Sequence, residues 1–229
     1  MNFCAKHSLH LIADEIFALS TFEAYLPSPA DVSFTSALSC SSNLDISQIH
    51  VMYGLSKDFA ASGLRIGCVA SHNTNLHASL RATARYSWPS VLSDAMAATI
   101  LEDTAWVDSF LAKSRRAVAE AYQLTISELR KNDISCSRSS AAVFVWVDFS
   151  PLLPLLKPEG ESDNVDIFET EMLLGKRFID GGVFLEPAGQ YHGSRPGWFR
   201  FVYTCERREL LEALRRIIKV CNEIRLVKL

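Results

Sequence analysis

The sequence predicts an α/β fold in two parts: a mostly parallel sheet with helices, followed by a smaller α+β unit. Three observations lead there. Short apolar runs at 9–13 and 49–53 stop at acids and at glycine, as strands do when their carboxyl ends reach a polar edge. A long stretch of helical period then runs from Thr104 to Arg130. Beyond it the apolar period changes to two, or becomes continuous, which signals a second sheet.

Taken in order, residues 9–13 form an apolar run that ends in Asp14 and Glu15, the pattern of a buried parallel strand. Residues 49–53 and 66–70 repeat the theme, short, partly β-branched and bounded by glycine. Between the first two, residues 27–48 are rich in Ser, Thr and Pro and read as a long loop. Residues 77–84 and 91–101 are Ala-rich helices separated by Pro89. The long helix 104–130 places Trp106, Phe110, Ala117, Ala121 and Leu124 near helical spacing, with Asp108, Lys113 and Glu120 mostly opposite. Strands follow at 143–147, 182–185 and 198–203, with helices at 168–180 and 206–224, and a loop or insertion at 151–164. The expected boundary divides residues 1–104 from 105–229, the latter opening with the linking helix.

Composition narrows the function classes. With 229 residues, 48% hydrophobic and 21% charged, the chain can bury a sizeable core. A net charge of −3 supplies no positive field, so neither nucleic acid nor membrane is an expected partner. The pairs Arg207-Arg208 and Arg215-Arg216 sit among glutamates and read as a solvated helix face. Six scattered cysteines with no C-x-x-C pair argue against a metal site and suit a reducing compartment. No signal-like or membrane-length apolar stretch is present, so a cytoplasmic protein is expected.

Three stretches carry chemistry. In the first, Lys57 lies just beyond a strand end, in a turn with Ser56, and Arg65 follows before the next strand. A lysine at the carboxyl end of a parallel strand faces a ligand crevice, and a desolvated amine attacks carbonyls. Arg65 has the planar fork suited to phosphate. In the second, Asp14 closes a strand; in the third, Arg200 sits among alternating aromatics. Read singly, Lys57 is a solvated surface lysine, Asp14 a turn cap and Arg200 a salt-bridged edge residue.

Together the three are familiar. Ser56-Lys57-Asp58-Phe59, continued by Gly63, Arg65 and Gly67, resembles the cofactor-lysine motif of class I/II aminotransferases. Its opening is especially similar to the 1-aminocyclopropane-1-carboxylate synthase branch of these fold-type-I enzymes. His10 to Phe17 resembles the family's strand ending in D-E-I-Y, and Pro196 to Phe201 its P-G-W-F-R segment. The resemblance implies pyridoxal 5′-phosphate as cofactor, with Lys57 catalytic and holding the cofactor aldehyde, Asp14 on the pyridine nitrogen, and Arg65, with Ser56, near the phosphate. It implies Arg200 as the clamp on the carboxylate of a small-molecule amino acid substrate, and a homodimer. Residues 1–104 then match part of the large cofactor-binding domain, and residues 105–229 the small domain.

Two positions depart from the pattern: Phe17 stands where the family has a tyrosine, and Gly54 where a phosphate-binding serine is common. The family's upstream phosphate turn and stacking aromatic find no match before Asp14, so an N-terminally truncated relative is expected. Function is accordingly open between an aminotransferase or 1-aminocyclopropane-1-carboxylate synthase-like enzyme, a carbon–sulfur lyase of secondary metabolism, and an inactive remnant with an interaction role.

Overall fold

In the computed structural model, which describes residues 1–27, 33–156 and 166–226, a short helix α1 (Asn2–Lys6) leads into strand β1 (Leu11–Asp14). The chain divides into two compact units, Met1–Arg116 and Ala117–Leu229. In the first, β1 pairs parallel with β2 (Ile49–Gly54), Leu11 opposite Ile49 and Asp14 opposite Met52. A stack of imidazoles ties the start of this pair, His10 Nδ1 lying 2.8 Å from His50 Nε2, while His50 Nδ1 lies 2.7 Å from Ser71 Oγ. Burial, then the neighbouring His10, lowers the pKa of His50.

Strand β3 (Gly67–Ser71) pairs antiparallel with β2, so the sheet is mixed rather than mostly parallel. The physical reason lies in the connection: residues 55–66 contain only a single 3-10 turn, and without a helix to carry the chain back the next strand must reverse. The expectation of buried strands holds for β2, where Ile49, His50 and Val51 are buried. It fails for β1 and β3, the sheet's two edges, where Ile12 is 62% exposed. Of the loop expected at 27–48, residues 28–32 lie outside those described; the remainder contains 3-10 turns at Ala37–Ser39 and Ile46–Gln48.

The next three helices start on side-chain caps. Asn73 accepts from the Leu76 amide at 2.8 Å to open α2 (Thr74–Ala84). Ser90, directly after Pro89, accepts from Ser93 at 3.0 Å to open α3 (Val91–Glu102). Asp103 accepts from Trp106 at 2.9 Å at the start of α4 (Thr104–Lys131), a single helix of 28 residues.

The second unit is built on strands β4 (Ser135–Cys136), β5 (Phe144–Asp148), β6 (Glu186–Pro187) and β7 (Trp198–Val202), in the antiparallel order β4-β5-β7-β6. Helices α5 (Ile167–Asp180) and α6 (Arg207–Leu226) complete it. The strand expected at 182–185 is displaced to Glu186–Pro187. Gly182, at φ +78, and the bonds Gly182 N to Ile179 O and Val183 N to Phe178 O form a Schellman turn that uses those residues to end α5. The loop expected at 151–164 begins as a 3-10 turn, Ser150–Leu155, and residues 157–165 lie outside those described.

One face of this sheet is core: Val145, Val147, Phe199 and Phe201 are buried, and Phe149, Phe178 and Phe199 meet at centroid distances of 4.8–5.8 Å. The opposite face carries Phe144, Trp146, Trp198 and Arg200, all half-buried. On α6, Glu212 accepts from Arg215 at 2.7 Å and from Arg216 at 2.8 Å, and the two guanidinium groups hold its carboxyl at about 2. That is the solvated helix face the sequence predicts. Among the described residues no helix is long and apolar enough to cross a membrane.

Candidate active site

The turn that carries Lys57 is braced from beneath. Strand β2 ends at Gly54, where a Cβ would come within 2.9 Å of the Ile66 carbonyl oxygen, so only glycine allows this close approach. Leu55 then donates to that same carbonyl at 3.3 Å. The neighbour of Lys57, Asp58, is only 3% exposed, and its carboxylate accepts from the Leu19 amide at 2.9 Å, the Tyr53 hydroxyl at 2.9 Å and the Ser20 hydroxyl. Burial and then this hydrogen bond push the Tyr53 pKa up. Asp58 therefore ties the turn both to β2 and to the segment after β1.

The same turn stores strain. Ala60 and Arg65 adopt left-handed φ values of 51° and 55° without being glycine, at a cost of about 1–2 kcal/mol each. Such residues persist where the surroundings over-determine them, as the Asp58 bonds do here. Lys57 itself is exposed, with Nζ 5.7 Å from the centroid of the Phe17 ring. Among the described residues no carboxylate lies at ion-pair distance from it.

Asp14 reaches the same edge from β1. It lies opposite Met52, and the pairing continues for one more residue through Glu15 N to Met52 O at 2.9 Å. One oxygen of the exposed Asp14 carboxylate accepts from the Ile16 amide at 3.2 Å. Glu15 turns to the loop instead, accepting from Ser36 Oγ at 3.1 Å and the Ala37 amide at 2.7 Å. Adjacent strands are about 4.8 Å apart, so Asp14 and the Lys57 turn emerge side by side. Arg65 comes to this edge too, two residues before the start of β3, with Nη1 donating to the Ser62 carbonyl at 3.1 Å. Ser56 lies half-buried in the same turn. Thus Asp14, Ser56, Lys57 and Arg65 share one sheet edge of the first unit.

Arg200 belongs to the second unit and is held by its own scaffold. The preceding Gly197 has φ +85, and a Cβ there would lie 2.5 Å from Ser150 Cα. Its amide donates to the buried Glu171 at 2.8 Å, and its carbonyl accepts from Phe149 at 2.8 Å. With this turn locked, Arg200 on β7 stands opposite Trp146 and Glu186. Its Nη1 donates to the Tyr191 hydroxyl at 2.7 Å and lies 3.3 Å from Glu186 Oε2. The guanidinium covers the Phe144 ring at 4.4 Å, and a cavity of about 360 Å³ lined by Trp146, Tyr191, Arg195 and Trp198 opens beside it.

Several of these supports escape a sequence reading. Asp58 stands inside the lysine motif, yet nothing in the pattern says that it points inward. Glu171, Glu186 and Tyr191 carry no period signal, because their importance comes from partners far along the chain.

The family description Aminotransferase class I and II matches residues 1–217. The human "1-aminocyclopropane-1-carboxylate synthase-like protein 1" is 32% identical over 95% of this chain and 40% of its own length. The human "Probable inactive 1-aminocyclopropane-1-carboxylate synthase-like protein 2" is 30% identical over 97% of this chain and 37% of its own. The chain thus spans about 40% of the length of the curated relatives it matches. Among solved structures, the aromatic aminotransferase from Pyrococcus horikoshii OT3 superposes with a TM-score of 0.79 at 18% identity, covering 98% of this chain and 54% of that one.

Proposed function

Because this chain belongs to the aminotransferase class I and II family, we propose that it binds pyridoxal 5′-phosphate at the Asp14–Lys57–Arg65 edge and acts on an α-amino acid. The observation that carries this reading is the parallel pairing of β1 with β2, which brings the Asp14 carboxylate and the Lys57 turn to adjacent strand ends.

The donor set fits the cofactor. An unpaired amine suits its aldehyde, a carboxylate its pyridine N–H, and a guanidinium its phosphate. When bound, the cofactor supplies an electron sink for the bond broken at the substrate's α-carbon. The Asp14 carboxylate would keep the pyridine nitrogen protonated, and Arg65, with Ser56, would take the phosphate charge. Lys57 would hold the aldehyde and, as general base, receive the proton from the substrate's α-carbon. Arg200 clamps the substrate carboxylate through two parallel N–H donors. Phe17 offers a ring face but no hydroxyl donor.

The reaction is transamination or a 1-aminocyclopropane-1-carboxylate synthase-like elimination, in a homodimer. These residues serve both outcomes alike. A second reading, an inactive protein with an interaction role, draws on Phe17 and on the relative named as probably inactive. The two separate in one experiment. Pyridoxal phosphate is added, the mixture reduced with borohydride, and the chain mapped by mass spectrometry. Label on the peptide containing Lys57, absent in Lys57→Ala, supports the cofactor site. No label anywhere supports the inactive reading.

A further inference from the structure

The surroundings of Arg200 contain a group that a plain carboxylate clamp does not need. Glu186, its neighbour across β6 and β7, lies 3.3 Å from Nη1, with the two side chains only 21% and 30% exposed. Tyr191 occupies the same Nη1 through its hydroxyl. Nε, by contrast, is buried and has no partner among the described residues. The Phe144 and Tyr191 rings, at 4.4 and 5.4 Å, hold the guanidinium in place. So Nη1 is already engaged by Glu186 and Tyr191, while the N–H at Nε is unused. In a half-buried, aromatic-walled setting such a charge pair is screened less than one in open water.

We propose that Glu186 is a specificity-determining residue. Together with Arg200 it makes a net-neutral donor–acceptor pair that receives a carboxamide head group nearly as well as a carboxylate. This rests on the reading of Arg200 as the head-group clamp. A carboxamide oxygen accepts from the free edge of Arg200, while its N–H donates to Glu186. A carboxylate gains more from Arg200 but brings a like charge against Glu186, which offsets the gain. The adjoining cavity, walled by Trp146, Tyr191 and Trp198, suits an apolar or aromatic body behind that head group.

The test uses the full chain, calorimetry and two matched probes, 3-phenylpropionate and 3-phenylpropionamide. The native chain is expected to bind the two within about threefold of each other. Glu186→Gln should favour the carboxylate by about tenfold or more, through tighter carboxylate binding, and Glu186→Ala should shift the ratio in the same direction. An unchanged ratio in both variants overturns the proposal. So does an equal loss of affinity for both probes, which would make Glu186 a mere support for Arg200. Arg200→Leu separates the underlying reading: it should weaken both probes. If it leaves both affinities intact, or if neither probe binds the native chain, the clamp itself is refuted and this inference falls with it.

Discussion

The two charged clusters use similar residue types in opposite ways. At the edge of the first unit Lys57 is exposed and has no ion-pair partner among the described residues, and the binding is invested one residue away, in Asp58. In the second unit Arg200 itself is gripped, by Glu186, Tyr191 and Phe144. On the proposed roles, an amine that forms and breaks bonds is left free while its backbone is fixed. A guanidinium that only has to present a fork can be held by its own side-chain contacts, since fixing it in advance reduces the entropy lost when ligand arrives.

Removing the free group should have the largest effect. Lys57→Ala is expected to abolish borohydride-trapped cofactor and any turnover, because both aldehyde capture and proton transfer need that amine. Retained turnover would break the contrast at its first member.

The support of Arg200 is the next test. Gly197→Ala must accommodate a methyl 2.5 Å from Ser150 Cα at φ +85, an expected loss of about 3 kcal/mol from backbone strain and overpacking. Denaturant titration followed by tryptophan fluorescence measures it, and a loss below the error of the titration would mean that the turn is not locked.

Asp58→Ala should cost about 2 kcal/mol by leaving the Leu19 amide and the Tyr53 hydroxyl short of a partner. It should also weaken cofactor binding although Asp58 is not expected to touch the cofactor. If stability drops while cofactor affinity stays unchanged, the brace under Lys57 has no bearing on its function.

The smallest effect belongs to Phe17→Tyr, beneath the Lys57 amine. Restoring a hydroxyl should tighten pyridoxal phosphate a few-fold, roughly the 1 kcal/mol of one hydrogen bond. Equilibrium binding followed by absorbance would show it; no change would argue that this ring does not face the cofactor.

Much of the fold is legible in the sequence because its signals are local. The period of 104–130 yields α4 to within one residue, whereas the helix expected at 77–84 begins earlier, at Thr74, behind its Asn73 cap. The direction of β3 is not legible, since parallel and antiparallel strands share the same apolar pattern and only the connection decides. The strand at 182–185 goes astray for a related reason: Val183 and Leu185 are buried and Phe184 is exposed, the alternation of a strand, but the turn that ends α5 uses the backbone of Gly182 and Val183 first.

By itself the sequence determined which chemical groups are present and where along the chain they fall: an amine at 57, carboxylates at 14 and 58, guanidinium groups at 65 and 200. Only tertiary structure decided which of them stay free. Asp58 is turned inward by Leu19, Ser20 and Tyr53, and Arg200 meets Glu186 across two strands. Charge and hydrogen bonding act over a few ångströms of space, and distance along the chain does not report that separation.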